Sequence, residues 1–251
     1  MKPNETLWNS PLSNGANGNG NGRHYGLPTH GTTNGHQHDH EALGEDHVAT
    51  SLETPLRDDA FELDDETKIE LIEKHFRSIM EILGLDLEDD SLSGTPHRVA
   101  KMYVQEIFKG LNPANKPEVR MFENKYQYGE MLVEKDITFY SNCEHHFVPI
   151  WGRVHIAYIS GGKVVGLSKL NRIVQHFARR PQVQERMTRQ IAEELATALK
   201  TDHVAVVVDA FHMCVASRGI QDVNSKTITS EYRGKFQDPE VKKEFLKYLE
   251  L

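Results

Sequence analysis

The chain has 251 residues, of which 38% are hydrophobic and 26% are charged. This composition is typical of a soluble protein whose apolar share is diluted by a polar segment. Lysine and arginine number 29 against 37 aspartate and glutamate residues, so the formal net charge is −8. A general nucleic-acid binder normally has a basic surplus, so the sequence argues against nucleic acid as a partner.

The sequence also argues against a membrane protein. No apolar run approaches the roughly 18 residues that a membrane helix needs, and the first residues lack the apolar core of a signal peptide. We therefore expect a cytoplasmic protein with no membrane partner. Two cysteines, Cys143 and Cys214, allow at most one disulfide, and in a reducing compartment such cysteines are either buried apolar residues or chemically active.

Residues 1–62 are predicted to form a disordered tail rich in asparagine, glycine and histidine. Residues 14–22 contain only asparagine, glycine and one alanine, and such a segment buries too little apolar surface to offset its ordering entropy. Its histidines could bind a metal weakly, but a solvated linker without a function is the favoured interpretation. Residues 63–251 form the predicted domain, with N-terminal helices over 63–111 and a catalytic α+β part over 112–251.

Two amphipathic helices are predicted at the start of this domain. The first begins after Asp64, carries apolar residues at helical spacing, and ends at Gly84. The second has Thr95 as its predicted N-cap and Pro96 in its first turn. Gly110 is its candidate C-cap.

The rest of the chain mixes strands and helices without a βαβ pattern, which favours an α+β fold. The predicted strands cover residues 131–139, 150–159 and 204–208. The predicted helices cover residues 168–178, a longer stretch after Pro181, and residues 236–249.

A metal site is predicted from two distant places in the chain. Cys143 and His146 form a C-x-x-H motif after a strand, and Cys214 follows the valine-rich strand. Thiolates combined with an imidazole suit Zn²⁺. Three protein ligands with an open fourth position are typical of catalytic zinc. The alternative is that both cysteines are small buried apolar residues and the histidines lie on a surface loop.

Two further histidines lie beside the predicted ligands. His145 precedes His146, and His212 lies two residues before Cys214. Either could act as a general acid or base, and either could instead orient a metal ligand.

Cationic residues near these motifs suggest an anionic substrate. Lys169 and Arg172 lie three apart at the start of a predicted helix, and Arg218 follows Cys214. Together they would suit a polyphosphate, although each alone could be a solvated charge. Gln184 and Glu185 begin the longer helix, where the carboxylate could accept hydrogen bonds from a guanine edge or simply interact with the helix dipole.

From Thr95 to the C-terminus the chain closely resembles the GTP cyclohydrolase I family. The matching stretches are Thr95–Met102, Cys143–Phe147, Gly166–Arg172, Arg180–Arg186, His212–Cys214 and Arg218–Ile220. The resemblance implies the tunnelling fold, with an antiparallel sheet and helices packed on one side. It also implies a toroidal homodecamer with active sites at subunit interfaces.

The same resemblance implies that GTP and water become 7,8-dihydroneopterin triphosphate and formate, an entry step to folate or other pterins. Cys143, His146 and Cys214 would hold Zn²⁺, and His212 would donate a proton with help from His145. The residues implied to bind the substrate are Gln184 and Glu185 at the guanine, Ser168, Lys169, Arg172 and Arg218 at the triphosphate, Arg98 and Lys101 near the phosphates from another subunit, and also Leu167.

Two other functions remain open at this point. The first is a related tunnelling-fold enzyme that acts on another purine or pterin. The second is a zinc-stabilised nucleotide-binding module without turnover. The cationic cluster argues against the first, and the count of three ligands argues against the second.

Overall fold

The computed structural model describes residues 51–250. Most of the predicted tail, residues 1–50, lies outside the described residues. The helices are α1 Asp65–Ile82, α2 Thr95–Met102, α3 Leu167–Ala178, α4 Gln184–Leu199, α5 Met213–Ala216 and α6 Pro239–Glu250. The strands are β1 Met121–Glu123, β2 Met131–Cys143, β3 Pro149–Ile159, β4 Lys163–Val165, β5 Pro181–Gln182, β6 Val204–His212 and β7 Thr227–Tyr232.

A five-stranded sheet organises the domain, with the strand order β5-β2-β3-β6-β7. All neighbours in it are antiparallel except the short parallel pair of β2 and β5. A separate two-stranded ribbon joins β1 to β4. The mixed α+β class is therefore confirmed.

Helices α3 and α4 cover one face of this sheet. Val154, Ile156 and Tyr158 point to that face from β3, and alternate residues of β6 do the same. The intervening residues Ala157 and Val207 point to the opposite face, where Phe245 of α6 packs on them. The expectation that helices pack on one side only is therefore wrong, because the small and apolar residues of this second face also need to be covered.

The first helix follows its sequence signals. Asp64 is its N-cap and accepts a hydrogen bond from the Thr67 N–H at 2.7 Å. Gly84 follows the C-cap residue with a φ of +81°, a conformation that favours glycine.

The N-cap of the second helix lies one residue earlier than predicted. Gly94 occupies the N-cap position without a side-chain bond, and Thr95 is already helical. The Thr95 hydroxyl instead accepts a hydrogen bond from the Arg98 guanidinium at 3.0 Å. The helix continues into a π-helical turn over Tyr103–Ile107 rather than running to Gly110.

Gly110 is required for a close approach and not as a C-cap. It lies in a 3-10 turn, Lys109–Leu111, and its N–H donates to the Arg179 carbonyl at 2.9 Å. A Cβ at this position would lie 2.1 Å from the His176 carbonyl oxygen. The glycine therefore lets the N-terminal segment pack directly on the end of α3.

The central strands and helices are confirmed, with longer strands than expected. β2 reaches Cys143 and β6 reaches His212. The predicted C-terminal helix is divided into a 3-10 turn, Gly234–Gln237, and α6. No helix among residues 51–250 is long and apolar enough to cross a membrane.

His176 is a buried histidine in α3 that is held in its neutral form. Arg180 donates to its Nε2 at 2.7 Å, and the imidazole also bonds the backbone of Asn115. Burial lowers the pKa of His176 to about 4, with further lowering by the charges of Arg180 and Lys116.

Because of this low pKa, we expect the free energy of unfolding to depend on pH. In the unfolded chain it takes up a proton near pH 6.5, whereas the folded protein resists protonation down to about pH 4. The unfolded state thus binds more protons in this window, so stability falls as the pH falls from about 6.5 to 4, by up to roughly 3 kcal/mol.

We expect His176→Gln to flatten this part of the pH dependence of the free energy of unfolding. Urea titrations at pH 7 and pH 4.5, with a chelator present in both, measure the effect. The exposed His97 provides the control His97→Gln. Equal pH dependence in wild type and His176→Gln would contradict the assignment.

Candidate active site

The last residue of β2 and the loop that follows it carry three of the predicted site residues. The Cys143 N–H donates to the Val148 carbonyl at 2.9 Å, and the Phe147 N–H donates to the Cys143 carbonyl at 2.8 Å. Phe147 has a φ of +53°, which reverses the chain within this tight turn. The turn therefore brings His145 and His146 next to Cys143.

The sheet order brings the second ligand-bearing segment to the same place. β3 lies between β2 and β6, with Asn142 opposite Pro149 and Ile150 opposite His212. The chain leaves β6 at His212 and enters the four-residue helix α5 directly. Cys214 therefore lies near the loop after β2, at one end of the central strands.

The three predicted ligands form one group. The Sγ atoms of Cys143 and Cys214 and a ring nitrogen of His146 all lie within 4.8 Å of one another. Cys143 is buried, Cys214 is half-buried and His146 is exposed, so the group faces solvent on one side. This set of two thiols and one imidazole fits a soft or borderline divalent cation such as Zn²⁺.

The environment of Cys214 disfavours ionisation of its thiol when no metal is bound. Burial raises the pKa of Cys214 to about 11, and the neighbouring Cys143 adds to this effect. Ionised thiols this close together need a positive charge between them, which a bound cation provides.

His145 and His212, the two candidate acid–base residues, each have a defined partner. His145 Nδ1 is 3.7 Å from the Cys143 Sγ. His212 Nε2 is 2.7 Å from the Gln184 side-chain oxygen, so the amide fixes the imidazole ring. Burial lowers the pKa of His212, and the charge of Glu185 opposes this.

A cavity of about 470 Å³ joins these groups. Its lining includes Cys143, Cys214 and His145, together with His212 and Glu185. A cavity of this size is within the range for small-molecule sites. The structure therefore gathers the two cysteines of the predicted metal group, both candidate acid–base residues and the candidate guanine contacts in one cavity.

The predicted phosphate contacts are only partly gathered. The Arg218 guanidinium is 3.0 Å from His146 Nε2, beside the metal group. The described residues that line the cavity do not include the start of α3, which carries Leu167, Ser168, Lys169 and Arg172. Arg98 and Lys101, both on α2, are likewise not among them.

Three contacts at the site have no counterpart in the sequence analysis. The Arg186 guanidinium donates to both carboxylate oxygens of Glu144, and its Nε donates to the Ser51 carbonyl at 3.0 Å. Ser51 and Leu52 line the cavity, and Glu53 accepts a hydrogen bond from Gln190 at 3.1 Å. The residue types gave no signal for these pairs, because the partners lie 42 to 137 positions apart.

The chain is similar in sequence to several known proteins. The family model for GTP cyclohydrolase I matches residues 72–250. GTP cyclohydrolase 1 of Flavobacterium johnsoniae is 59% identical over 211 residues, which cover 84% of this chain and 95% of the relative. The enzymes of the same name from Citrobacter koseri and Escherichia coli are each 54% identical over 209 residues, which cover 83% of this chain and 92% of the relative.

Among solved structures, the apo archaeosine synthase QueF-Like matches with a TM-score of 0.34 at 16% identity, over 40% of this chain and 90% of that chain. That likeness is too weak to support an argument. The family match spans most of the described residues, and the relatives match over nearly their whole length. The chain belongs to the GTP cyclohydrolase I family of enzymes.

Proposed function

We propose that the chain opens the guanine imidazole ring of GTP at C8 by hydrolysis, releases formate and forms 7,8-dihydroneopterin triphosphate. The observation that carries this proposal is the cavity in which Cys143 and Cys214, two members of the metal group completed by His146, lie beside two histidines and a carboxylate. An anionic nucleotide with an intact triphosphate is the proposed substrate, consistent with the name of the relatives.

The proposed cofactor is Zn²⁺ held by Cys143, His146 and Cys214. The donor set has two sulfurs and one nitrogen, and a three-residue set leaves an open position of the catalytic type. Bound zinc supplies Lewis acidity, which lowers the pKa of an adjacent water to about 7.

The chain's own residues are proposed to bind the base and to move protons. Glu185 lines the cavity and would accept hydrogen bonds from the guanine edge, with Gln184 beside it. Because Gln184 holds His212 at 2.7 Å, that imidazole is presented in one orientation to donate a proton to the opening ring. His145, next to the metal group, would assist the later proton transfers.

Glu185→Gln tests the guanine contact. Loss of a charged hydrogen-bond acceptor is expected to lower kcat/KM for GTP by about 10–100-fold, because such bonds are worth about 1.5–3 kcal/mol. Steady-state kinetics and zinc content are measured together, and zinc content should not change. Glu193→Gln, an exposed carboxylate on the same helix, is the matched control.

A helix-dipole role for Glu185 gives a different outcome. It would lower the melting temperature of Glu185→Gln and leave kcat/KM for GTP at the wild-type value. That result would remove Glu185 from the guanine site.

We further propose that copies of the chain assemble, with a decamer as the expected state, and that a neighbouring copy completes the triphosphate site. The supporting observation is that the start of α3 does not line the cavity that holds the metal group. The face of the sheet opposite α3 also carries a row of aromatic side chains, Tyr140, Trp151 and Phe211, on adjacent strands. Tyr140 and Trp151 are 54% and 46% exposed, which is unusual for rings that lie opposite one another on a sheet.

Light scattering of the purified protein measures this assembly. The expected mass is about ten times the 28.6 kDa of one chain. Trp151→Asp is expected to reduce the mass and the activity together, because a charge in an apolar contact is costly. A fully active single chain would contradict the shared site.

The first test of the function is a paired assay of zinc per chain and formate released from GTP, with and without a chelator. We expect about one zinc per chain and formate release that chelation abolishes and Zn²⁺ restores. Tight GTP binding without formate would indicate a zinc-stabilised binding module instead. We propose a cytoplasmic enzyme. The proposed domain division, with residues 63–251 as the enzyme, is tested by the same assay on a chain that begins at residue 63.

A further inference from the structure

The first turn of α4 contacts both segments that carry the candidate metal ligands. Gln184 holds the β6 segment: its Nε2 donates to the Val208 carbonyl at 3.1 Å, and its Oε1 lies 2.7 Å from His212 Nε2. Two residues later, Arg186 holds the other segment through Glu144, which lies between Cys143 and His145. One helical turn thus fixes the two halves of the site relative to one another.

The contact of Arg186 with Glu144 is buried and bidentate. Only 4% of the Arg186 side chain and 18% of the Glu144 side chain are exposed. Two guanidinium nitrogens donate to the two carboxylate oxygens, the longer contact measuring 3.3 Å. A buried fork of this kind is specific in geometry, and removal of one partner leaves an uncompensated charge.

Glu144 is held through its backbone as well. Its N–H donates to the Gln182 carbonyl at 3.0 Å, at the end of the short parallel pair of β2 and β5. One carboxylate oxygen lies 3.8 Å from His145 Nε2, an ion-pair distance rather than a hydrogen bond. Rotation of Glu144 would therefore move a candidate ligand on one side and a candidate acid–base histidine on the other.

We propose that Glu144 and Arg186 are a pair of positioning residues that set the orientation of the 143–146 loop toward the metal and the substrate. Neither residue belongs to the donor group itself. The pair acts by fixing where the Cys143 and His146 donors and the His145 ring point. This inference rests on the proposed zinc site.

Glu144→Gln tests the proposal with little change in shape. The neutral amide accepts only one of the two hydrogen bonds and turns its NH₂ group toward the guanidinium. We expect Zn²⁺ affinity, measured by competition with a chelator, to fall by about 10–100-fold, as is typical when a partner of a metal ligand is lost. The visible spectrum of the Co²⁺-loaded protein should shift, and kcat at saturating Zn²⁺ should fall with little change in KM for GTP.

The matched control is Glu194→Gln, the same chemical change on α4 at a carboxylate that pairs with Lys116 at 2.6 Å, outside the cavity. It should leave zinc affinity and the cobalt spectrum unchanged. Arg186→Lys keeps the charge but loses the fork, and it should reproduce the effect of Glu144→Gln.

A purely structural ion pair gives another result. It would lower the melting temperature of Glu144→Gln and leave zinc affinity, the cobalt spectrum and kcat at wild-type values, and this outcome would overturn the proposal. If Arg186→Lys does not fold, Glu144→Gln decides alone. Wild-type protein that binds no zinc would overturn the zinc site and this inference together, whereas equal zinc binding by wild type and Glu144→Gln would overturn only the inference.

Discussion

His146→Ala is expected to lose both bound zinc and formate release. The imidazole is the exposed member of the three-residue donor group, and two thiols alone cannot complete a stable site. Lewis-acid activation is worth several kcal/mol and each 1.36 kcal/mol is a factor of ten, so formate release should fall by about 1,000-fold or more. Zinc per chain after gel filtration and formate from GTP measure the two effects.

His97→Ala is the matched control for this variant. His97 is an exposed histidine on α2 whose Nδ1 lies 2.9 Å from a Glu73 carboxylate oxygen. Its replacement should leave zinc content and turnover at wild-type levels. If His146→Ala keeps a full equivalent of zinc, the metal is held elsewhere and the donor group is not its site.

Local sequence signals predicted much of the fold because they act over a few residues. Asp64 caps α1 and Gly84 follows its end, as the spacing of apolar residues predicted. Gly110 was assigned to a helix end, although its real constraint is the His176 carbonyl some 66 positions away. Such a close approach depends on tertiary packing, which cannot be predicted from the helix propensity of single residues. β7 was missed for a similar reason, since it is a largely exposed edge strand without a strong apolar alternation.

In the candidate site, too, local contacts could be predicted from the sequence and long-range contacts could not. The C-x-x-H spacing placed Cys143 and His146 together because both lie in one turn, and Cys214 was predicted as their partner because it follows the valine-rich strand and is the chain's other cysteine. The contact of Glu144 with Arg186 had no local signal, because an ion pair of residues 42 positions apart is specified only by the packed structure. The start of α3 lies outside the cavity, as expected if that contact depends on another copy of the chain.

His212→Ala is expected to abolish formate release while zinc content stays near the wild-type value. The imidazole lines the cavity on β6 and is fixed by Gln184 at 2.7 Å, but it is not one of the three donors in the metal group. General acid–base catalysis contributes about 10²–10⁴-fold, so turnover should fall by that factor. Single-turnover assays with GTP at saturating Zn²⁺ separate this loss from any change in GTP binding.

His155→Ala is the control, since His155 is a half-buried histidine of β3 on the opposite face of the same sheet. It accepts a hydrogen bond from the Asp136 N–H at 3.1 Å and is expected to affect folding stability more than turnover. Full activity in His212→Ala would assign the proton transfer to another group, such as His145, whose Nδ1 lies 3.7 Å from the Cys143 Sγ. If His212→Ala loses zinc together with turnover, the role of this imidazole is to orient the Cys214 segment. It would then act through metal binding and not by proton transfer to the guanine ring.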